Sequence, residues 1–157
     1  MSLNLWRISK RKYAAGAFNG EGARRFGGRW NSRGRSVIYT SATLSLAALE
    51  TFVHMEISDA GNLFVYIKAE IPDEIPIEEI SASQLPSNWR NLPAPTTLAL
   101  LGDKWFDEGQ TAILVVPSAI IPVENNYLIN PLHPDFLKIQ IHPPQPFELD
   151  PRMWKLS

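Results

Sequence analysis

All thirteen prolines of this 157-residue chain lie between Pro72 and Pro151, and no other feature of the sequence constrains the fold as much. Proline cannot continue a helix beyond its first turn, and it removes a hydrogen-bond donor from the interior of a sheet. We therefore expect short elements in this part, with residues 72–96 mostly loop and a helix only at 98–108, ending at Gly109. Six of the nine glycines lie earlier, between Gly16 and Gly34.

Runs of β-branched and apolar residues predict several strands, which makes the chain an α+β protein. The predicted strands cover residues 3–8, 35–40, 62–71, 111–117 and 136–142. A further helix is expected over residues 43–57, capped by Ser41 or Thr43. Residues 10–34 show no period and are predicted to be a long loop, which in a compact domain is usually functional or disordered. The proline-rich tail, residues 143–157, is expected to add an edge strand at 146–149.

Size and composition predict one cytoplasmic domain spanning residues 1–157. The absence of cysteine excludes disulfides and thiolate metal sites, and it suits a reducing compartment. No apolar run approaches the roughly 18 residues of a membrane span, so no membrane interaction is expected. The first residues also lack the apolar core of a secretory signal.

Positive charge is concentrated at the start of the chain. Residues 1–35 hold nine of the fifteen Lys and Arg residues and one acidic residue, Glu21, while the rest of the chain is acidic. Two interpretations stay open, a solvated basic loop and a site for an anion. Nucleic acid is not the expected anion, because no helix-turn-helix or aromatic RNA-binding motif is present.

Glu50 is the first candidate for chemistry. On a helical wheel it lies about 40° from Leu46, at the border of the apolar face that Leu46 forms with Leu49 and Val53. A carboxylate at such a border is partly desolvated and needs a partner or a function. The partner can be an arginine, or His54 one turn later.

Residues 26–31 (Phe-Gly-Gly-Arg-Trp-Asn) form the second candidate. Gly28 allows close approach of a ligand, Arg29 offers a fork of donors for phosphate oxygens, and Trp30 and Asn31 add a stacking face and an amide. The segment lacks both the Walker pattern and the dinucleotide-binding pattern of glycines. The alternative is a surface turn that happens to carry an arginine.

Tyr39 and Ser118 each stand near the end of a predicted strand, where ligand-facing groups are common. Tyr39 can stack on a flat heterocycle or merely straddle the edge of the core. Ser118 can point into the same space or serve as a turn residue. The three histidines show no ligand spacing, so no metal site is expected, and no nucleophilic triad motif occurs.

Taken in order, six short motifs resemble the RES domain family, which is named for an Arg, a Glu and a Ser. The matching pieces are residues 5–8, 27–31, 37–41, 46–50, 116–118 and 126–131. The resemblance spans about residues 4–142, and Arg29, Glu50 and Ser118 stand at the naming positions. It implies a single domain like that of ADP-ribosyltransferases, with a split mixed sheet and two or three flanking helices.

The resemblance also implies a function. Family members are toxins of bacterial type II toxin–antitoxin systems, paired with an Xre-like helix-turn-helix antitoxin. They deplete NAD+ by breaking the nicotinamide–ribose bond, by hydrolysis or by phosphorolysis, while others transfer ADP-ribose to a protein. NAD+ would then be a substrate, with inorganic phosphate as a co-substrate, and neither a true cofactor nor a metal is expected.

Site roles follow from the same resemblance. Glu50 would orient the ribose and stabilise its positive charge, Arg29 would hold the diphosphate, and Tyr39 would stack on nicotinamide. The remaining residues expected to bind NAD+ or hold the carboxylate are Arg7, Gly28, Trp30, Asn31, Ser118 and Asn126. A transferase for a specific protein and a non-enzymatic binding module remain as alternatives, and a homodimer or a larger toxin–antitoxin assembly stays open.

Overall fold

The computed structural model describes residues 2–59 and 62–154, in which eight strands form one mixed sheet. The strands are β1 (Leu3–Lys10), β2 (Ile38–Ser41), β3 (Phe64–Ile71), β4 (Ile77–Glu79), β5 (Ile113–Pro117), β6 (Asn125–Ile129), β7 (Gln140–Ile141) and β8 (Gln145–Phe147). Their order is β4-β5-β6-β2-β1-β3-β7, and β8 also pairs with β3. Only β4 and β5 pair in parallel.

The sheet is split between β1 and β2. β1 pairs with β3 along its whole length, and β2 pairs with β6 over four residues. β1 and β2, by contrast, pair only between Trp6 and Ser41. The two half-sheets therefore join at one point and part on either side of it. This arrangement confirms the predicted α+β domain with a split mixed sheet.

Three α-helices flank the sheet in the described part of the chain: α1 (Glu21–Phe26), α2 (Leu44–Phe52) and α3 (Thr96–Glu108). The Thr43 hydroxyl accepts the N–H of Leu46 at 3.0 Å, which confirms it as the cap of α2. Gly109 ends α3 in a left-handed conformation with φ of 61°, as predicted. None of the described helices is long and apolar enough to cross a membrane.

β5 carries much of the core because both of its faces are buried. Leu114 and Val116 point to one side, where they pack with Trp105 of α3. Ile113 points to the other side and packs with Leu5 of β1. Burial on both faces explains why the sequence of β5 is apolar throughout instead of alternating.

Three predictions about local structure are wrong. α2 ends at Phe52, not near residue 57, because the chain tightens there into turns. Residues 10–34 contain a 3-10 helix (Arg11–Gly16) and α1 in addition to loop. Residues 136–142 are not one strand, since Pro134 starts a 3-10 helix and only β7 reaches the sheet. The edge strand expected at 146–149 is present as β8, shifted by one to two residues.

Candidate active site

A cleft with a volume of about 800 Å³ opens where the two half-sheets part. Its floor comes from β1 and β2, and its walls come from α1, the loop that follows α1, α2 and residues 92–96. The volume lies within the range of small-molecule binding sites. Seven of the nine residues named from the sequence line this cleft. The other two, Ser118 and Asn31, are hydrogen-bonded to the lining residues Glu50 and Tyr39.

Glu50 reaches the cleft from α2, and one of its oxygens is fully occupied. Glu50 Oε1 accepts the hydroxyl proton of Ser118 at 2.8 Å and an Nδ2 proton of Asn126 at 2.7 Å. The Ser118 oxygen itself accepts the backbone N–H groups of Ile120 and Ile121, both at 3.1 Å. A serine hydroxyl has one proton and two lone pairs, so the only proton of Ser118 is committed to Glu50.

The other oxygen of the carboxylate is available to a ligand. No residue in the described ranges donates a hydrogen bond to Glu50 Oε2, and Glu50 lines the cleft. Neither an arginine nor His54 is the partner of Glu50, although His54 also lines the cleft. The structure thus presents a carboxylate with one oxygen held by two donors and one oxygen free.

Arg29 lies in the loop after α1, across the cleft from Glu50. Its guanidinium donates to the backbone carbonyls of Trp89 at 2.9 Å and Asn91 at 3.2 Å. Burial lowers the pKa of Arg29, while the charge of Glu50 acts in the opposite direction. These two bonds use two of the five N–H donors of an arginine, so three remain for a ligand.

Arg7 lies on β1, beside the point where the half-sheets part. Its guanidinium donates to the backbone carbonyl of Tyr39 at 3.0 Å, and its buried Nε has no hydrogen-bond partner among the described residues. Burial lowers its pKa, but an arginine remains charged in proteins. Two guanidinium groups and one carboxylate therefore give this cleft a positive balance, which suits an anion.

We call residues 27–35, the loop that carries Arg29, the arginine loop. Hydrogen bonds among Tyr39, Asn31 and Trp30 hold this loop in place. The Tyr39 hydroxyl donates to Asn31 Oδ1 and accepts the N–H of Trp30 at 3.1 Å, and burial raises the pKa of Tyr39. Asn31 is only 2% exposed and also donates to backbone carbonyls, while the Trp30 ring packs in the core at 3% exposure. Gly28 allows this packing, since a Cβ there would collide with the Tyr39 hydroxyl.

Helix α3 holds the same loop through residues that the sequence reasoning missed. Asp103 accepts the backbone N–H of Ser32 at 2.8 Å, and Asp107 forms a two-pronged ion pair with Arg35 at 2.9 and 2.7 Å. Gly102 packs directly under the carbonyl of Trp30, where no Cβ would fit. A glycine inside a helical pattern indicates close approach of another backbone, so Gly102 was the signal in the sequence that could have revealed this contact.

Comparisons with known proteins support one family. The family model described as "RES domain" matches residues 4–150. A protein named "Toxin Res" from Yersinia enterocolitica is 39% identical over 150 residues, covering 95% of this chain and 98% of the relative. The "Prs ADP-ribosylating toxin" of a Sphingobium species is 37% identical over 157 residues, covering 98% of both.

A solved structure shares the fold. A chain from the crystal structure of the M. tuberculosis MbcT–MbcA toxin–antitoxin complex superposes with a TM-score of 0.78. The match covers 94% of this chain and 85% of that one, at 16% sequence identity. At that identity the likeness concerns the fold alone.

Proposed function

We propose that this chain, which belongs to the RES domain family, is the toxin of a toxin–antitoxin pair and consumes NAD+ by breaking its nicotinamide–ribose bond. Its relatives carry toxin names, and one of them is named as ADP-ribosylating, a reaction that uses NAD+. The observation that carries the proposal is the free Oε2 of Glu50, presented in a cleft that also holds Arg7 and Arg29.

Cleavage of this bond fits what Glu50 offers. The bonding electron pair leaves with the ring nitrogen, so nicotinamide departs neutral and positive charge builds on the ribose carbon, as in glycoside hydrolysis. A carboxylate oxygen near that carbon stabilises the charge as it develops. Because Ser118 and Asn126 already hold Oε1, the carboxylate does not have to reorganise during the reaction.

The other residues bind the substrate or hold the carboxylate. We assign the diphosphate to the free donors of Arg29 and to Arg7, and the nicotinamide ring to the face of Tyr39, which lines the cleft. Ser118 is 0% exposed, so we assign it to Glu50 and not to the sugar. Asn126 bonds to Glu50 and also lines the cleft, so we assign it to both the carboxylate and the sugar. Trp30 and Asn31 would act on NAD+ only through the loop that carries Arg29.

The acceptor of the ADP-ribose group is water or inorganic phosphate in this proposal. Water adds its oxygen to the ribose carbon and releases a proton, giving ADP-ribose. Phosphate adds through one oxygen and gives the phosphorylated sugar. A second candidate is transfer to a protein nucleophile, which is favoured by the 37% identity to an ADP-ribosylating toxin.

The proposed partner is an antitoxin of the Xre-like helix-turn-helix class. The fold is shared with a chain solved as part of a toxin–antitoxin complex. Two large apolar side chains, Phe26 and Leu92, are exposed at the rim of the cleft, where a partner would cover them. Co-purification with such a protein tests this assignment, and the absence of any complex at micromolar concentrations would contradict it.

The decisive experiment measures NAD+ consumption by the wild type and by Glu50→Gln, with and without phosphate, with products identified by mass. The glutamine oxygen can still accept from Ser118 and Asn126, while an amide nitrogen replaces the free oxygen. We expect the rate to fall by about 10²–10³-fold, the usual cost of losing a preorganised charge-stabilising group. Glu108→Gln, at the exposed end of α3, is the matched control and should keep full activity.

The product mass identifies the acceptor. Free ADP-ribose indicates water, its phosphate ester indicates phosphate, and a mass increase on a protein indicates transfer. No NAD+ consumption by folded wild type freed of antitoxin, with no labelled protein, would contradict the proposed function. Equal rates for the wild type and Glu50→Gln would contradict the role of Glu50.

A further inference from the structure

Ser41, the last residue of β2, is paired with a neighbouring strand on both of its sides. Its backbone pairs with Asn126 of β6 on one side and with Trp6 of β1 on the other, at the one point where the two half-sheets join. Its side chain is 4% exposed and lies at the floor of the cleft. The Ser41 hydroxyl therefore projects from a backbone position that is held on both sides by strand pairing.

That hydroxyl donates to Asn126 Oδ1 at 2.8 Å. The amide of Asn126 has an oxygen on one side and a nitrogen on the other, and rotation by 180° exchanges them. The oxygen faces Ser41 and the nitrogen donates to Glu50 Oε1 at 2.7 Å. The carboxylate, which only accepts hydrogen bonds, selects this orientation, and the Ser41 hydroxyl holds the amide in it. In the rotated form, the Asn126 oxygen would oppose the carboxylate oxygen and the hydrogen bond would be lost.

We propose that Ser41 is a positioning residue, whose hydroxyl holds the Asn126 amide in the orientation that donates to Glu50 and thereby helps to position the Glu50 carboxylate. The hydrogen bonds run in one direction from Ser41 to Asn126 to Glu50. Ser118 supplies the second bond to Oε1 from the end of β5. Side chains from the ends of two different strands thereby position the carboxylate, and Glu50 Oε2 is left without a donor among the described residues.

The catalytic part of this inference rests on the proposed function, whereas the orientation of Asn126 does not. The test therefore has two readouts, NAD+ kinetics and hydrogen exchange of the Asn126 side-chain amide by NMR. The amide signals are assigned as the pair that disappears in Asn126→Ala. The variants are Ser41→Ala, Asn126→Ala, the double variant, and Thr111→Val as the control.

Thr111 is a matched control because its hydroxyl is also buried and hydrogen-bonded. It accepts from the Trp105 indole at 3.0 Å and donates to the carbonyl of Ile113 at 3.1 Å, away from the cleft. Its replacement removes a buried hydroxyl without touching the path to Glu50. Any general effect of such a loss will appear in both variants.

We expect Ser41→Ala to accelerate exchange of the Asn126 amide and to lower kcat about tenfold, the effect of one net hydrogen bond, with KM within twofold. Thr111→Val should change neither exchange nor kcat. Since Ser41 acts through Asn126, adding Ser41→Ala to Asn126→Ala should lower kcat no further.

Three results would overturn the inference. Unchanged amide exchange in Ser41→Ala would show that Ser41 does not orient Asn126. Faster exchange with unchanged kcat would break the link to catalysis. An equal loss of kcat in the wild-type and Asn126→Ala backgrounds would show that Ser41 acts by another route. If the wild type consumes no NAD+, the proposed function fails, and amide exchange still decides whether Ser41 orients Asn126.

Discussion

On the two sides of the cleft, opposite charges are held by different means. Glu50 is held by side chains that project from strand ends, those of Ser118 and Asn126. Arg29 is held by backbone carbonyls of an irregular segment. The loop that carries Arg29 is held in turn by a hydrogen bond to α3. We call the first side the carboxylate wall and the second, made of residues 27–35, 86–96 and α3, the arginine wall.

The comparison shows where each wall is sensitive. A side chain that donates to a carboxylate can be removed by one substitution, so chemistry at the carboxylate wall depends on single residues. A backbone carbonyl is present whatever the side chain, so the arginine wall depends on the path of the chain. Substitutions in the arginine wall should therefore change stability and substrate binding before they change the chemical step.

The largest effect is expected where α3 meets the arginine loop. A Cβ in Gly102→Ala would overlap the carbonyl oxygen of Trp30, so the helix or the loop must move. We expect a loss of about 3 kcal/mol in the free energy of unfolding, the upper range for overpacking, and a Tm lower by about 6–12 °C. Thermal unfolding followed by circular dichroism measures it.

Gly22→Ala is the matched control for this substitution. Gly22 lies in α1, and a Cβ there would meet no heavy atom within 4 Å. Alanine should leave stability unchanged or raise it by up to about 1 kcal/mol, since it is the better helix former. Equal Tm values for the Gly102 and Gly22 variants would mean that α3 does not brace the loop as described.

A middle-sized effect is expected for Arg29→Lys. A lysine ammonium lacks the planar fork of donors, so it cannot hold the carbonyls of Trp89 and Asn91 together and also bind a diphosphate. We expect the KM for NAD+ to rise about tenfold, as for the loss of one charged hydrogen bond, and proteolysis within residues 86–96 to accelerate.

Glu50→Gln sharpens the contrast, because it should slow the reaction without changing the proteolysis rate. An Arg29→Lys protein with faster proteolysis but normal KM would assign Arg29 to structure alone. The reverse pattern, a raised KM with normal proteolysis, would show that Arg29 does not hold residues 86–96 in place.

The smallest effect is expected at the outer end of the arginine wall. The hydrogen-bonded Arg35 guanidinium lowers the pKa of Asp107 from its ordinary value of 3.8. A lowered pKa contributes stability above the ordinary value, and that stability is lost as the pH falls through the lower, folded-state pKa. Asp107→Asn should therefore destabilise the protein by less than about 1 kcal/mol at neutral pH, because the pair is exposed.

The difference in unfolding free energy between the wild type and Asp107→Asn should vanish in acid and shrink in high salt. Chemical denaturation at several pH values measures it. A difference in unfolding free energy that persists below the pKa of Asp107, or one that does not change with salt concentration, would contradict an electrostatic origin of the stabilisation.

Elements with local signals were predictable from the sequence. Thr43 carries a capping hydroxyl, and Gly109 supplies the left-handed residue that ends α3, so both boundaries follow from neighbouring residues. β6 was missed because its sequence begins with Asn125 and Asn126, and its place depends on pairing with β2 and β5. The alternating pattern of residues 136–142 led to the wrong prediction of one long strand, because a 3-10 helix that Pro134 starts occupies the first part of it.

The site was predictable as a set of residues but not as a geometry. The helical wheel indicated that Glu50 needs a partner or a function, and it offered an arginine or His54 as the partner, whereas the observed donors to Oε1 are two other side chains. The partners, Ser118 and Asn126, are 68 and 76 residues away. The end of a predicted strand drew attention to Ser118, but only the resemblance to a family pointed to Asn126. Burial of Trp30 and Asn31 also depends on tertiary packing against α3 and Tyr39, which local patterns do not record.

The late position of Ser118 and Asn126 has a consequence for synthesis of the protein. A ribosome makes the chain from the amino end, so Glu50 and Arg29 leave the exit tunnel long before the two donors to Oε1. A nascent or truncated chain that ends before β5 holds the carboxylate without the groups that orient it. The assembled cleft therefore exists only after β5 and β6 have been made, and fragments of this chain that end before β5 should be harmless to the cell that makes them.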